Sequence, residues 1–103
     1  MISVVITNYN GRQYLPDCLS SLELQTYRDF ETILVDNAST DGSVEFVEGH
    51  YPEVRIVRNR ENLGFAGGTN AGIRAARGEY VLTLNNDTKA DPNFMEHLGN
   101  AMD

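Results

Sequence analysis

A three-layer α/β fold, with a mostly parallel sheet covered by helices on both faces, is what this sequence predicts. Two observations carry the prediction. Short apolar runs alternate with segments of helix length, the pattern of successive βαβ units. Each run then ends in the same polar chemistry: VVIT reaches Asn8, ILVD reaches Asn37, RIVR reaches Asn59 and YVLTL reaches Asn85-Asn86-Asp87. If the runs are parallel strands, these ends fall on one edge, where open α/β sheets bind ligands outside the carboxyl ends of their strands. A row of amides and carboxylates there can read a base or ribose and hold a metal.

The first strand, Ile2–Asn8, is apolar without alternation, as expected when both faces are covered. A turn at Asn10-Gly11 leads to a helix from about Arg12 to Gln25, with Leu15, Leu19 and Leu22 forming one apolar stripe. Pro16 fits only in its first turn. Thr32–Asp36 is the second strand, followed by a loop rich in N-cap residues and a short helix from Ser43 to Glu48. The third strand is Val54–Arg58. A long polar loop, Asn59 to Leu63, opens into Gly64-Phe65-Ala66-Gly67-Gly68, with a helix from about Thr69 to Ala76 and Gly78 as its C′ stop. The fourth strand is Tyr80–Asn85. Asp91 reads as an N-cap, with Pro92 at the first position of a last helix.

At 103 residues the chain is at most one small domain, and four strands with four helices make half of an ordinary α/β enzyme, so it reads as part of a larger domain. Eight basic residues against 15 acidic ones give a net charge of −7, which argues against a nucleic-acid groove. Cys18 is the only cysteine: no internal disulfide, no thiolate zinc site, and a small buried hydrophobe by its helical setting. A cytoplasmic setting follows as the expectation, since no apolar stretch approaches the ~20 residues of a membrane span. His50 and His97 lack partners at metal-ligand spacing and read as surface or helix-end residues, and Asp17, Glu23, Glu45 and Glu48 as solvated helix faces.

Three constellations could carry chemistry. Asn85-Asn86-Asp87 puts a carboxylate directly after a hydrophobic strand, suited to magnesium or manganese shared with a diphosphate; a simple Asx turn accounts for it equally. The glycine-rich entry from Gly64 to Gly72 could present helix N–H groups to a phosphate, or could serve close helix–sheet packing. It is neither a dinucleotide fingerprint, which would follow the first strand, nor a Walker A loop, which needs a Lys-Ser/Thr pair. Asp36 can accept hydrogen bonds from a ribose or base, and Tyr9 can cover the flat face of a base; turn formation and plain packing are the competing readings.

The blocks VVITNYNG, ILVDNASTDGS, NRENLGFAGGTNAGI and YVLTLNND, in this order, resemble the family 2 glycosyltransferases of the GT-A fold, from Ile2 to about Phe94. The resemblance implies a Rossmann-like GT-A half-domain, spanning residues 1–103, that binds the nucleotide-diphosphate sugar donor. It would place Thr7, Asn8 and Tyr9 around the base and ribose, Asp36 on the base, and Asn62, Gly67, Gly68 and Asn70 beside the ribose and diphosphate. Asn85, Asn86 and Asp87 fall on the family's DxD motif, with Asp87 as the direct ligand of a divalent metal because the first acidic position is Asn85. An NND block with a GFAGG loop resembles the rhamnosyltransferases that use deoxythymidine-diphosphate-rhamnose. The implied reaction is inverting transfer to an acceptor glycan or lipid-linked saccharide, at the inner membrane face in many family members. No catalytic residue is assigned: in the family the base comes from the C-terminal half, and Asp91, Glu96 and Asp103 read as a cap or helix surface. The isolated chain is therefore expected to bind donor and transfer nothing. Two alternatives stand beside this reading. One is a non-catalytic nucleotide-binding or assembly module, able to form a homodimer; the other is a nicotinamide-dependent oxidoreductase, disfavoured by the missing fingerprint.

Overall fold

A computed structural model describes residues 1–102. Its elements run β1 (Ile2–Asn8), α1 (Leu15–Glu23), β2 (Phe30–Asp36), α2 (Ser43–His50), β3 (Arg55–Arg58), α3 (Gly64–Ala75), β4 (Tyr80–Asn85) and α4 (Phe94–Met102). All strands are parallel, in the order β3-β2-β1-β4. Asp103, one of the carboxylates weighed as a base, lies outside the described residues.

Strand alternation sorts the core into two layers. Ile2, Val4, Ile6 and Leu34 point to one face, where Leu15, Leu19 and Leu22 of α1, Val47 of α2 and Met95 of α4 cover them. Each such side chain contributes about 1.5–3 kcal/mol by leaving water. Val5, Ile33 and Val35 point to the other face and meet Ala71 and Ala75 of α3, with Val57 of β3 and Ala76 beside them. α3 reaches β1, β2 and β3, so Val81, Thr83 and Asn85 of β4 stay exposed on that side. No helix among the described residues is long and apolar enough to cross a membrane.

The order matters for ligands. From β1 the chain builds outward through β2 to β3, then returns to lay β4 on the other side of β1. Loops after β1 and β4, whose helices α1 and α4 pack on the same face, therefore lie side by side at the carboxyl edge, where open sheets hold ligands.

Several boundaries differ from the sequence expectation. α1 starts at Leu15 rather than Arg12, because the Arg12 amide is taken by Asp41 Oδ2 at 3.0 Å and the Tyr14 amide closes a turn on the Gly11 carbonyl at 2.9 Å. α3 starts at Gly64, five residues before the expected Thr69, so the glycine-rich stretch is itself helix. Helix propensity disfavours that, but packing wins. A side-chain Cβ at Gly68 would sit 2.6 Å from Thr7 Cγ2, and one at Gly72 would overlap Val5 Cγ1, so only glycines let α3 lie this close to the sheet. α3 ends in extended backbone at Ala76, and Gly78 is not a C′ stop: a Cβ there would lie 2.6 Å from the Met1 carbonyl. β2 begins at Phe30, two residues early, and α2 runs on to His50. α4 begins at Phe94, two residues after Pro92, with residues 91–94 closed by Phe94 N–H to the Asp91 carbonyl at 3.0 Å.

Candidate functional site

Register lines up the polar strand ends. Asn8 lies beside Asp36 and Thr7 beside Asn85, while Asp36 also neighbours Arg58. The ladder continues one residue further, with Asn37 N–H on the Asn8 carbonyl and Asn59 N–H on the Asp36 carbonyl, both at 2.9 Å. The shared edge expected from the sequence is present.

Its centre is a closed polar network. Asn8 is 0% and Asp36 2% exposed. Asn8 Nδ2 donates to Asp36 Oδ1 at 3.1 Å and to Ser39 Oγ at 3.3 Å, and Asn8 Oδ1 accepts from Asn86 Nδ2 at 2.9 Å. Asp36 Oδ1 also accepts from Ser39 Oγ at 2.7 Å, and Oδ2 from Ser39 N–H at 2.9 Å. Both carboxylate oxygens are thus engaged internally, and the network binds β1, β2 and the turn after β4 into one unit. Ser39 further accepts the Asn10 amide at 2.9 Å, and Asn10 Oδ1 accepts the Thr40 amide at 2.7 Å. These bonds hold Asn10 (φ 49°) and Ala38 (φ 63°) in left-handed backbone. That conformation costs an alanine roughly 1–2 kcal/mol and an asparagine less. Tyr9, next to Asn10, is 52% exposed and leaves its ring free to cover a flat ligand.

On the α3 side, Asn37 bridges: Nδ2 donates to the Gly64 carbonyl at 3.0 Å and Oδ1 accepts from Asn59 Nδ2 at 2.8 Å. Asn62 Oδ1 accepts the Gly64 amide at 2.9 Å. Gly68 is buried against Thr7 and Asn37, and Thr69 Oγ1 lies 3.1 Å from Thr7 Oγ1. Gly67, partly buried, leaves room for Leu63, 2.8 Å from where its Cβ would lie. Asn70 is exposed. Leu63, at the N-cap of α3, makes no side-chain capping bond, so beyond the Gly64 amide taken by Asn62 the helix N-terminus opens at the carboxyl edge, because α3 follows β3.

The turn after β4 differs from Asp36. It is closed by Thr88 N–H on the Asn85 carbonyl at 3.1 Å and anchored by Asn86 to Asn8. Asp87 is exposed, and no hydrogen bond or ion pair engages its carboxylate among the described residues. Cys18 lies beneath this turn, with Sγ 3.9 Å from the Asn85 carbonyl. Burial, and then the charge of Asp87, push its thiol up to about 11. It is the buried hydrophobe expected, and Asp17, Glu23, Glu45, Glu48, His50 and His97 are exposed, also as expected. A cavity of about 320 Å³, lined in part by Leu22, Phe30, Glu31 and Val54, lies toward the opposite end of the strands.

Sequence reasoning missed Ser39, Thr69 and Gly11 as parts of the rim. A Cβ on Gly11 would overlap Asn86 Nδ2 and Asn8 Oδ1, so this glycine guards their bond. Asp41 was read only as a cap candidate. Burial alone would raise its carboxyl pKa, but the Ser43 hydroxyl and the Arg12 and Ser43 amides more than offset this and hold it low. The Asp-x-x-Ser spacing of Asp36 and Ser39 was the available signal, since short polar side chains three apart close local turns.

Known proteins are similar to this chain in sequence and fold. The family model described as "Glycosyl transferase family 2" matches residues 3–103. The glycosyltransferase GlyG of Streptococcus pneumoniae is 37% identical over 101 residues, covering 95% of this chain and 34% of that protein. The crystal structure of S. aureus TarS in complex with UDP superposes with a TM-score of 0.89 at 26% identity, over 96% of this chain and 31% of that one. The mannosyltransferase PcManGT from Pyrobaculum calidifontis, in complex with GDP-Man and Mn2+, gives a TM-score of 0.75 at 29% identity, over 84% of this chain and 27% of that one. This chain thus spans about a third of the length of these relatives.

Proposed function

The chain belongs to glycosyltransferase family 2, and from that premise we propose that its rim binds the nucleoside-diphosphate part of a sugar donor together with Mg2+ or Mn2+. The observation that carries the proposal is the contrast between the two rim carboxylates. Asp36 is buried and saturated, whereas Asp87 stands exposed at the carboxyl edge with its carboxylate unengaged among the described residues. No cluster of three or more His, Cys, Asp or Glu side chains able to hold a metal occurs among the described residues. One open carboxylate beside amide oxygens fits an ion that completes its shell with diphosphate oxygens and water.

The roles divide by position. Tyr9 covers the base, while Thr7, Asn8 and Asp36 shape the base and ribose pocket, Asp36 through the Ser39 loop that it holds in place. Asn62, Gly67, Gly68 and Asn70, on and before α3, border the ribose and diphosphate, with the positive end of the α3 dipole favouring negative charge there. Asp87 holds the metal, and Asn85 and Asn86 orient the turn. When bound, the ion would supply Lewis-acid stabilisation of the leaving diphosphate. The transfer is inverting: an acceptor hydroxyl oxygen bonds to the anomeric carbon as the bond to the diphosphate oxygen breaks, and the hydroxyl proton passes to a base that no residue of this chain is assigned. The proposed acceptor is a glycan or lipid-linked saccharide, met on the cytoplasmic side at the inner membrane face. The Asn85-Asn86-Asp87 and GFAGG blocks put deoxythymidine-diphosphate-rhamnose first among donors.

Calorimetric titration of UDP, dTDP and GDP, with and without Mn2+, tests this. Metal-dependent binding that Asp87→Ala weakens about tenfold or more is expected, in line with loss of a charged ligand. Absence of any metal-dependent binding by the wild type overturns the site. A second reading, self-assembly, is favoured by β4: it is a border strand, and Tyr80 and Val81 are exposed. Sedimentation at increasing concentration separates the readings, a persistent monomer excluding the homodimer.

A further inference from the structure

Three residues at one side of α1 reach across to the segment that follows β4. Cys18 and Ser21, three apart, share a face of α1, and Gln25 follows two residues past its end. Cys18 Sγ approaches the Asn85 carbonyl at 3.9 Å. Ser21 Oγ accepts the Ala90 amide at 3.0 Å while donating to the Cys18 carbonyl at 2.7 Å. Gln25 is 3% exposed, and both ends of its amide are used. Nε2 donates to the Asp91 carbonyl at 2.6 Å and to the Ser21 carbonyl at 3.1 Å, and Oε1 accepts the Met95 amide at 2.9 Å. Gln25 thereby caps two helices at once. It satisfies a carbonyl in the last turn of α1 and an amide in the first turn of α4, groups that helix geometry leaves orphaned. The neighbouring Thr26 amide adds a bond to the Pro92 carbonyl at 2.9 Å.

We propose that Gln25, seconded by Ser21, is a positioning residue for the Asp87 turn. The turn leaves β4 at Asn85, whose place is set by pairing with β1. It is pinned midway by Asn86 on Asn8. Its far end has no strand or helix of its own between Asp87 and Phe94, so the backbone there is held by the α1 clamp on Ala90, Asp91 and Met95. With both ends fixed, the few residues between them keep the Asp87 carboxylate at the rim without any bond to the carboxylate itself. That leaves its oxygens open, as a shared metal site requires. The functional meaning of the clamp rests on the donor-site reading above; the clamp itself does not.

Amide exchange by NMR on the 103-residue chain tests the clamp directly. In Gln25→Ala, exchange at Ala90, Met95 and Thr88 should accelerate about tenfold or more, as expected for losing bonds that close a buried segment, with the β1 and β2 amides unchanged. Ser21→Ala should act in the same direction at Ala90 and Thr88, and it supplies the test if Gln25→Ala fails to fold. Unchanged exchange at Thr88 in a folded variant overturns the proposal. Binding then gives the readout that general destabilisation would not: affinity for UDP with Mn2+ should fall several-fold, while affinity for UDP without metal stays at the wild-type value. Equal loss of both affinities overturns the positioning role. If wild type binds no UDP with Mn2+ yet Thr88 exchange accelerates in the variant, the donor-site reading fails and the clamp on the turn stands.

Discussion

Removing the side chain of Asn8 should unlock the rim from its centre. The residue has no exposed surface, and its amide donates to the Asp36 carboxyl group and to Ser39 while accepting from Asn86. Asn8→Ala loses one bond to a charged group, about 1.5–3 kcal/mol, and at least one neutral bond, about 0.5–1.5 kcal/mol, so a total near 2–4 kcal/mol follows. In a domain of about 100 residues each kcal/mol moves Tm by roughly 4–8 °C, which predicts a fall of roughly 8–32 °C. Thermal and urea unfolding followed by circular dichroism measure it. Asn86→Ala, which removes a single neutral bond, should cost only about 0.5–1.5 kcal/mol. Asn8→Asp keeps the shape but replaces a donor with a second carboxylate against Asp36, so it should destabilise at least as much at pH 7. An Asn8→Ala protein within about 0.5 kcal/mol of wild type would refute the reasoning, since surface substitutions alone produce changes of that size.

Glycine substitutions should split by location. Gly72→Ala pushes a Cβ into Val5 and to within 2.9 Å of Val35 Cγ2, and should destabilise by about 1–3 kcal/mol despite better helix propensity. Gly49→Ala, where nothing lies within 4 Å, should stabilise by about 0.5–1 kcal/mol; urea midpoints measure both. Glu31 gives a pH prediction. Burial would raise its pKa, but the Ser3 hydroxyl, the Arg77 amide and the Arg55 guanidinium at 2.7 Å together lower it. A folded pKa below the unfolded value of about 4.3 means stability that is present above that pH and lost as pH falls through the folded value. Glu31→Gln should therefore be less stable than wild type at pH 7, with the gap closing on acidification, as urea unfolding at pH 7 and pH 3 would show.

The strands and their shared edge were legible because a parallel sheet covered on both faces needs unbroken apolar runs, and each run stops where its polar residue meets the rim. The α3 boundary was not. Glycines at 64, 67, 68 and 72 look like a loop by propensity, and only the nearness of Thr7, Asn37, Val5 and Val35 shows why they are helix. The start of α1 was hidden for a similar reason, since the Arg12 amide goes to Asp41, 29 residues away. At the site, Asp36 and Asp87 looked alike as strand-end carboxylates. Their difference, one saturated and one open, depends on Asn8 and Ser39 arriving from other elements. Gln25 carried no local signal, because its partners lie 66 and 70 residues further along the chain.

Mapping where a nucleotide lands is the most direct test of the central claim. Titration of isotopically labelled protein with UDP and Mg2+, followed by amide chemical shifts, should move Thr7 to Asn10, Asp36 to Ser39, Gly67 to Asn70 and Asn85 to Thr88, all at the carboxyl ends of the strands. Shifts confined to the opposite end, around Phe30, Glu31 and Val54, would contradict it.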